Sequence, residues 1–293
     1  MKDLSIVRRY RYDLSPVRRL FATVLILALA AAPAAAETFR ERLRPPPEFP
    51  YQLEARREAA LIATGLGFTV TGFALDLFVE RTTAEEYGLE NLNKDDVFFL
   101  DRMTMQPYSE LGQNAAHALF FVTLLSPLPT IVNQDFGTMF TIGMMYGQTL
   151  MLSYGVKETV LHAVPRFRPQ SYYDDTPAEL NRGQGSRKSF PSGHAAHTFA
   201  AATFATTVFS TMYPDSPYRY ALAAGSYGMA TTVAALRVSA GRHFLTDVLA
   251  GAAWGSFVGW FVPRLHLTDR TERAVDVAPL VTPDGFGLML RLQ

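Results

Sequence analysis

Six apolar stretches constrain this 293-residue chain more than anything else in it: 59–79, 111–132, 138–163, 194–212, 218–236 and 244–262, with polar linkers between them. At about 1.5 Å of rise per residue, each makes a helix of roughly 28–39 Å, about the hydrocarbon thickness of a bilayer. The expected fold class is therefore all-α, a six-helix membrane-embedded bundle. Mean hydropathy is only +0.06 because the linkers are substantial.

The stretches are not alike. Those at 194–212 and 218–236 are rich in Ala, Gly and Thr, which predicts tightly packed inner helices that do not face lipid. In 244–262 the glycines Gly251, Gly255 and Gly259 recur every four residues, a spacing that lets membrane helices approach closely. Pro127 and Pro129 interrupt the second stretch. The third carries Lys157 and Glu158, which deep in an apolar helix are expected to face the bundle interior or a site.

Chemistry-bearing residues gather at the edges of these stretches. One group is Arg237-Val-Ser-Ala-Gly-Arg242-His243-Phe-Leu-Thr-Asp247; another is Lys188-Ser-Phe-Pro-Ser192-Gly193-His194. Together they suit phosphoryl transfer through a histidine. A neutral imidazole can attack phosphorus when an acceptor holds its other nitrogen, and Asp247, one helical turn after His243, is expected to reach that Nδ1–H. Arg237 can fork onto two phosphoryl oxygens. The N–H groups of Ser192, Gly193 and His194 sit at a predicted helix start, where anions are favoured. A protonated His194 can return a proton to the leaving alkoxide. Alone, a His-x-x-x-Asp pair is equally a surface contact or a core histidine, and Pro-Ser-Gly-His is equally a turn with a helix cap.

Found together and in this order, the groups resemble the type 2 phosphatidic acid phosphatase family, which includes bacterial acid phosphatases and vanadium haloperoxidases. The resemblance covers about residues 154–263. The Pro-Ser-Gly-His motif is complete; in the Ser-Arg-x5-His-x3-Asp motif only the serine departs, with Leu236 in its place. The first motif departs further. The family's lysine stands seven positions before the arginine of Arg-Pro, whereas Lys157 stands eleven before Arg168. Four extra residues are about one turn, which leaves Lys157 on nearly the same face but roughly 6 Å further along. Either Lys157 spans part of that gap or Arg166 supplies the missing charge. The resemblance implies a bundle of the phosphatase/haloperoxidase type. It also implies catalysis by His243, Asp247 and His194, and phosphate binding by Arg168, Ser192, Gly193, Arg237, Lys157 and Arg166. No metal and no cofactor are expected.

His197, one turn after His194, is expected to support it; a His-x-x-His metal site lacks a completing carboxylate nearby. His117, His162 and His266 are read as packing or membrane-edge residues. Arg242 either binds a second substrate charge or faces solvent, and Lys188 is a peripheral phosphate contact. Twenty-seven Lys and Arg balance 27 Asp and Glu, so net charge offers no argument for nucleic acid. The absence of cysteine excludes disulfides and thiolate metal sites. A lipid phosphate and the membrane are the expected partners, with no obligatory protein partner.

At the ends of the chain the signals change. Residues 1–36 look like a secretion signal: a basic region with Arg8, Arg9, Arg11, Arg18 and Arg19, an apolar run over 20–32, and Ala34-x-Ala36 before Glu37. An uncleaved anchor is the alternative. Residues 37–58 form a Pro- and Arg-rich linker, with a short amphipathic helix over 52–58. The helical phosphatase domain is placed at 59–265. In the polar stretch 80–110, Val97–Leu100 predicts a small surface helix, and the 266–293 tail carries hairpin alternation around Pro283-Asp284-Gly285. A cleaved signal followed by six full spans puts the site loops on the cytoplasmic side, whereas the resemblance implies an inner-membrane protein with its site facing the periplasm. Either the export signal is misread, one stretch does not span, or the bundle is membrane-associated. The expected function is metal-independent hydrolysis of a lipid phosphate monoester or diphosphate through phosphohistidine. The alternatives are a periplasmic acid phosphatase on small phosphomonoesters, a vanadate-dependent haloperoxidase, and a non-catalytic membrane scaffold.

Overall fold

The computed structural model describes residues 48–78, 82–268, 275–282 and 285–292. The signal segment expected at 1–36 and most of the linker after it lie outside the described residues. In chain order the helices are α1 (Ala55–Phe78), α2 (Ala84–Tyr87), α3 (Phe99–Thr104), α4 (Glu110–Leu124), α5 (Phe136–Ala163), α6 (Ala178–Arg182), α7 (Gly193–Met212), α8 (Tyr218–Ser239) and α9 (Leu245–Leu265). The six long ones correspond to the six apolar stretches. Strand β1 (Val275–Thr282) pairs antiparallel with β2 (Gly285–Leu292), from Val275 opposite Leu292 to Thr282 opposite Gly285.

Local chemistry starts and stops these helices. Ser109 caps α4 by accepting from Gly112 N at 3.2 Å, and Asp135 caps α5 by accepting from Thr138 N at 3.1 Å. Such caps contribute about 1 kcal/mol each. α4 stops at Leu124 ahead of Pro127 and Pro129, and a single tight turn at Leu128–Ile131 finishes the stretch. The expected short helix over 52–58 is not a separate element. Ala55 already opens α1, whose start is tied to the end of α9: Gln52 N donates to the His266 carbonyl at 2.9 Å, and Glu58 meets Gln148 Nε2 at 2.6 Å and His266 Nε2 at 2.9 Å.

α7 is the hub of the bundle. Ala195, Ala196, Ala200, Ala201, Ala202, Phe204 and Ala205 have no exposed surface. α8, expected to be a second inner helix, is a peripheral one. It buries only the stripe Ser226, Ala230, Val233, Ala234 and Arg237, at the spacing of one helical face. Small residues set how closely a helix can approach a neighbour, not how many neighbours it has. Among the described residues, three helical stretches are long and apolar enough to cross a membrane: Ala55–Phe78, Glu110–Ile131 and Leu245–Leu265. Their outer faces expose Val70, Phe73 and Leu77, Leu111 and Phe121, and Leu249 and Phe257. Large apolar side chains aligned on helix faces in this way suit a hydrocarbon surrounding.

Candidate active site

Glycine brings the two halves of the site together. A Cβ built on Gly251, Gly255 or Gly259 of α9 would fall 2.4, 1.9 and 2.5 Å from the carbonyl oxygens of Ser192, Ala196 and Ala200. Only hydrogen fits there, so the fourfold glycine spacing becomes direct backbone contact between α9 and α7. The helix starts then meet: Ser192 N donates to the Asp247 carbonyl at 3.0 Å. The turn between α8 and α9 is equally tight. Gly241 has φ +66°, and a Cβ there would sit 2.5 Å from the Gln106 carbonyl oxygen.

His243 lies in that turn with 4% of its surface exposed. Its Nδ1 is 2.7 Å from the Ser189 carbonyl oxygen, which can only accept, so Nδ1 carries the hydrogen. Nε2 is thereby left as a lone-pair nitrogen, and it faces Arg168 Nη1 at 3.3 Å. The expected direct contact from Asp247 is corrected: its Oδ2 stands 3.7 Å from Nδ1. Asp247 is fully buried, and its oxygens are taken by Ser189 Oγ at 2.6 Å, Phe244 N at 2.8 Å and Arg166 Nη1 at 2.6 Å. His243 precedes the first residue of α9, so the one-turn spacing that would align the pair does not apply. Burial, then the charges of Arg168 and Arg237, push the His243 pKa well below the usual imidazole range, against the opposing Ser189 hydrogen bond. The ring is therefore neutral at neutral pH.

Three guanidiniums surround it. Arg168 donates to the Gly185 carbonyl at 2.7 Å and to the Arg242 carbonyl at 2.5 Å. Burial first, then Arg242 and Arg237, press its pKa down, and Asp247 opposes. Arg237 is 3% exposed, and its Nε and Nη1 have no hydrogen-bond partner. Arg242 is half-buried and donates to Gln170 Oε1 at 2.8 Å, so it does not simply face solvent. Mutually repelling buried cations beside a neutral imidazole make a site that an anion would stabilise.

The remaining expected ligands divide. Lys157 does reach the site: a Cβ on Gly193 would lie 3.4 Å from its Nζ, and the same ammonium is paired with Glu158. One turn of misregister is absorbed by the length of the lysine side chain. Gly193 and His194 offer first-turn N–H groups with no intrahelical acceptor. Ser192 is corrected, because its N–H is spent on Asp247 and its Oγ caps α7. Arg166 is corrected as well. It is held by Asp247 at 2.6 Å and Asp101 at 2.7 Å and lies over the Phe244 ring, so its guanidinium is engaged by carboxylates. Lys188 pairs with Asp76 at 2.8 Å instead of facing phosphate.

His194 stacks on His117, ring centroids 4.9 Å apart, and packs against Phe120 at 4.8 Å. His117, read as a packing or membrane-edge residue, packs directly on His194. His197 meets Ser153 Oγ at 3.0 Å through its Nδ1. His162 lies between Asp76 and Glu158, at 3.1 and 3.2 Å. Nothing in the structure explains Leu236 standing where the family has serine. Sequence reasoning passed over the Ser189 carbonyl and Asp101. Among the described residues no three His, Asp or Glu side chains are grouped as metal ligands.

Residues 140–270, which contain all three motifs, match the family model described as the PAP2 superfamily. The chain is 32% identical over 153 residues to a lipid A 1-phosphatase of Rhizobium etli, covering 52% of this chain and 59% of that protein. It is 29% identical over 109 residues to a lipid A 4'-phosphatase of Porphyromonas gingivalis, covering 36% and 43%. The chain thus spans between two-fifths and three-fifths of the length of these relatives. The crystal structure of a transmembrane PAP2-type phosphatidylglycerolphosphate phosphatase from Bacillus subtilis aligns with a TM-score of 0.39 at 18% identity, covering 69% of this chain and 93% of that one.

Proposed function

We propose that this chain, which matches the PAP2 superfamily over residues 140–270, hydrolyses a lipid phosphate through a phosphohistidine on His243. One observation carries the reading. The buried His243 holds its hydrogen on Nδ1 against Ser189 and turns an unprotonated Nε2 towards Arg168, while Arg237 has guanidinium nitrogens without partners. A phosphoryl group at Nε2 would satisfy that surplus of positive charge.

The reaction then runs in two balanced steps. The Nε2 lone pair forms a P–N bond as the P–O bond to the leaving group breaks, and His194 gives its proton to the departing alkoxide. Next His194 takes a proton from water, the hydroxide oxygen bonds to phosphorus, and the P–N bond breaks to release phosphate and restore neutral His243. Asp247, behind the ring, offsets the charge on the imidazolium while it exists. Arg168, Arg237, Lys157 and the N–H groups of Gly193 and His194 surround the equatorial oxygens, where phosphoryl transfer develops its charge. This mechanism calls on no metal ion.

The apolar outer helices and the names of the relatives favour a substrate with its phosphate in water and its acyl chains in lipid. A lipid A phosphate is the first to try. We propose that the site lies at the periplasmic face of the inner membrane, following the family resemblance together with the export signal expected over 1–36, which requires that not all six apolar stretches span. The test is phosphate release by the detergent-purified protein from lipid A and glycerophospholipid phosphates, with EDTA present and His243→Ala alongside. Release that persists in EDTA and disappears in the variant is expected. Release unchanged by the substitution would remove His243 from the mechanism.

A further inference from the structure

The 80–110 segment carries none of the three motifs, yet it places one carboxylate against the catalytic helix. Asp101, in α3, has no exposed surface. Its Oδ1 accepts from Thr246 N at 2.8 Å, and its Oδ2 accepts from Thr246 Oγ1 at 2.7 Å and from Arg166 Nη2 at 2.7 Å. The other end of the same guanidinium holds Asp247 Oδ1 at 2.6 Å and Thr246 Oγ1 at 2.8 Å. The plane is fixed from the side by the Phe244 ring, 4.1 Å from the guanidinium carbon.

Resting on the reading of His243 as nucleophile, we infer that Asp101 is a positioning residue for the reaction, acting through Arg166 on Asp247. Two consequences follow from the geometry. Asp101 keeps Arg166 turned away from the phosphate pocket, so the strongest cation next to Asp247 cannot swing onto substrate. It also leaves the Asp101–Arg166–Asp247 triad with a net charge of −1. Paired with Arg166 alone, Asp247 would be neutralised, and little negative charge would remain behind His243 to offset its imidazolium. The other charged or titratable groups facing His243 are Arg168, Arg237, Arg242 and His194, which in cationic form all oppose a positive ring. The triad supplies the negative charge behind His243, beside the Ser189 carbonyl that accepts from its Nδ1.

The experiment is steady-state kinetics of Asp101→Asn in detergent, with melting temperature followed in parallel. The expected result is a fall in kcat of about 10- to 100-fold, the size seen when an outer partner orienting a reacting imidazole is removed. KM should stay within about twofold, because Asp101 touches no substrate. The acid limb of the pH profile should move to lower pH, since a more positive surrounding makes His243 harder to protonate. Introduced into Asp247→Asn, the same substitution should cost far less, because Asp101 acts on His243 through Arg166 and Asp247 and only its hold on Thr246 remains to be lost. If Asp101→Asn does not fold, Arg166→Lys keeps the charge but cannot bridge two carboxylates, and it should show the same kcat loss with the acid limb unmoved. An unchanged kcat and pH profile, or a loss that is equally large in the Asp247→Asn background, would overturn the inference. Either outcome in a protein whose activity still depends on His243 leaves the proposed mechanism standing. Absence of any phosphate release from the wild type would instead remove the mechanism itself.

Discussion

The proposed nucleophile, His243, is a histidine whose surroundings favour the neutral ring. Burial and three neighbouring guanidiniums disfavour the charged ring, and a depressed imidazole pKa means the reactive form survives into acid. Activity that requires neutral His243 is present above its folded pKa and lost as pH falls through it, so the acid limb is expected below 6.5, the ordinary value for histidine. Replacing Arg168 with Gln removes the second cause of that depression and should move the limb to higher pH; NMR titration of the ring in both proteins checks this directly. A wild-type ring titrating at or above 6.5 would contradict the account. At this scale the sequence was informative about side chains and silent about backbone. His243, Asp247, His194, Arg168 and Arg237, the residues of the proposed site, were singled out in the sequence by their motifs. The acceptor that sets the His243 tautomer was not, because it is the carbonyl of Ser189, 54 residues away. Its position depends on the path of a loop and not on any residue type.

Among the helices, α7 and α9 form the frame of the site, and glycine makes it possible. With the Gly255 Cβ position 1.9 Å from the Ala196 carbonyl oxygen, a larger residue must push the helices apart where no flexible side chain can yield. Gly255→Leu should destabilise the protein by about 3 kcal/mol or more and sharply reduce activity, since the start of α7 would leave the start of α9. Gly143→Ala in α5 is the matched control. No atom lies within 4 Å of the added Cβ, and the better helix former should leave melting temperature unchanged or slightly higher. Thermal melts of both variants in detergent separate the two expectations; equal melts would mean that the α7–α9 contact is not close. The fourfold glycine spacing announced this contact. The one-sided burial of α8 was not announced, because Ala and Thr are equally at home on an inner face and on an outer one.

Over residues 48–268 the described helices form a bundle, with the candidate site at the start of α9 and the α1–α9 clasp at its end. Three stretches have the length and apolarity of membrane spans, and their outer faces are mostly exposed in the isolated chain. The protein is therefore expected to remain with membranes after an alkaline carbonate wash and to be released by detergent. Recovery in the soluble fraction without detergent would turn the reading towards a phosphatase of small phosphomonoesters. The other three long helices carry Lys157, Glu158, His194, His197 and Arg237, so their polarity belongs to the site they line.

What the amino-acid sequence determined by itself was periodic or covalently local. Apolar runs dictate long helices, since a backbone in apolar surroundings must satisfy its own hydrogen bonds. Motifs within a few residues of one another place their side chains on one turn or one face. What only the tertiary structure decided was the pairing of charges far apart in the chain. Arg166 could have met phosphate or carboxylate, and it became a brace because α3 delivers Asp101, 65 positions upstream, to its other side. Lys157 reaches Gly193 despite its displaced spacing because α5 runs past the start of α7. Electrostatic partners are chosen by distance in space, and between distant segments that distance exists only once the helices have packed.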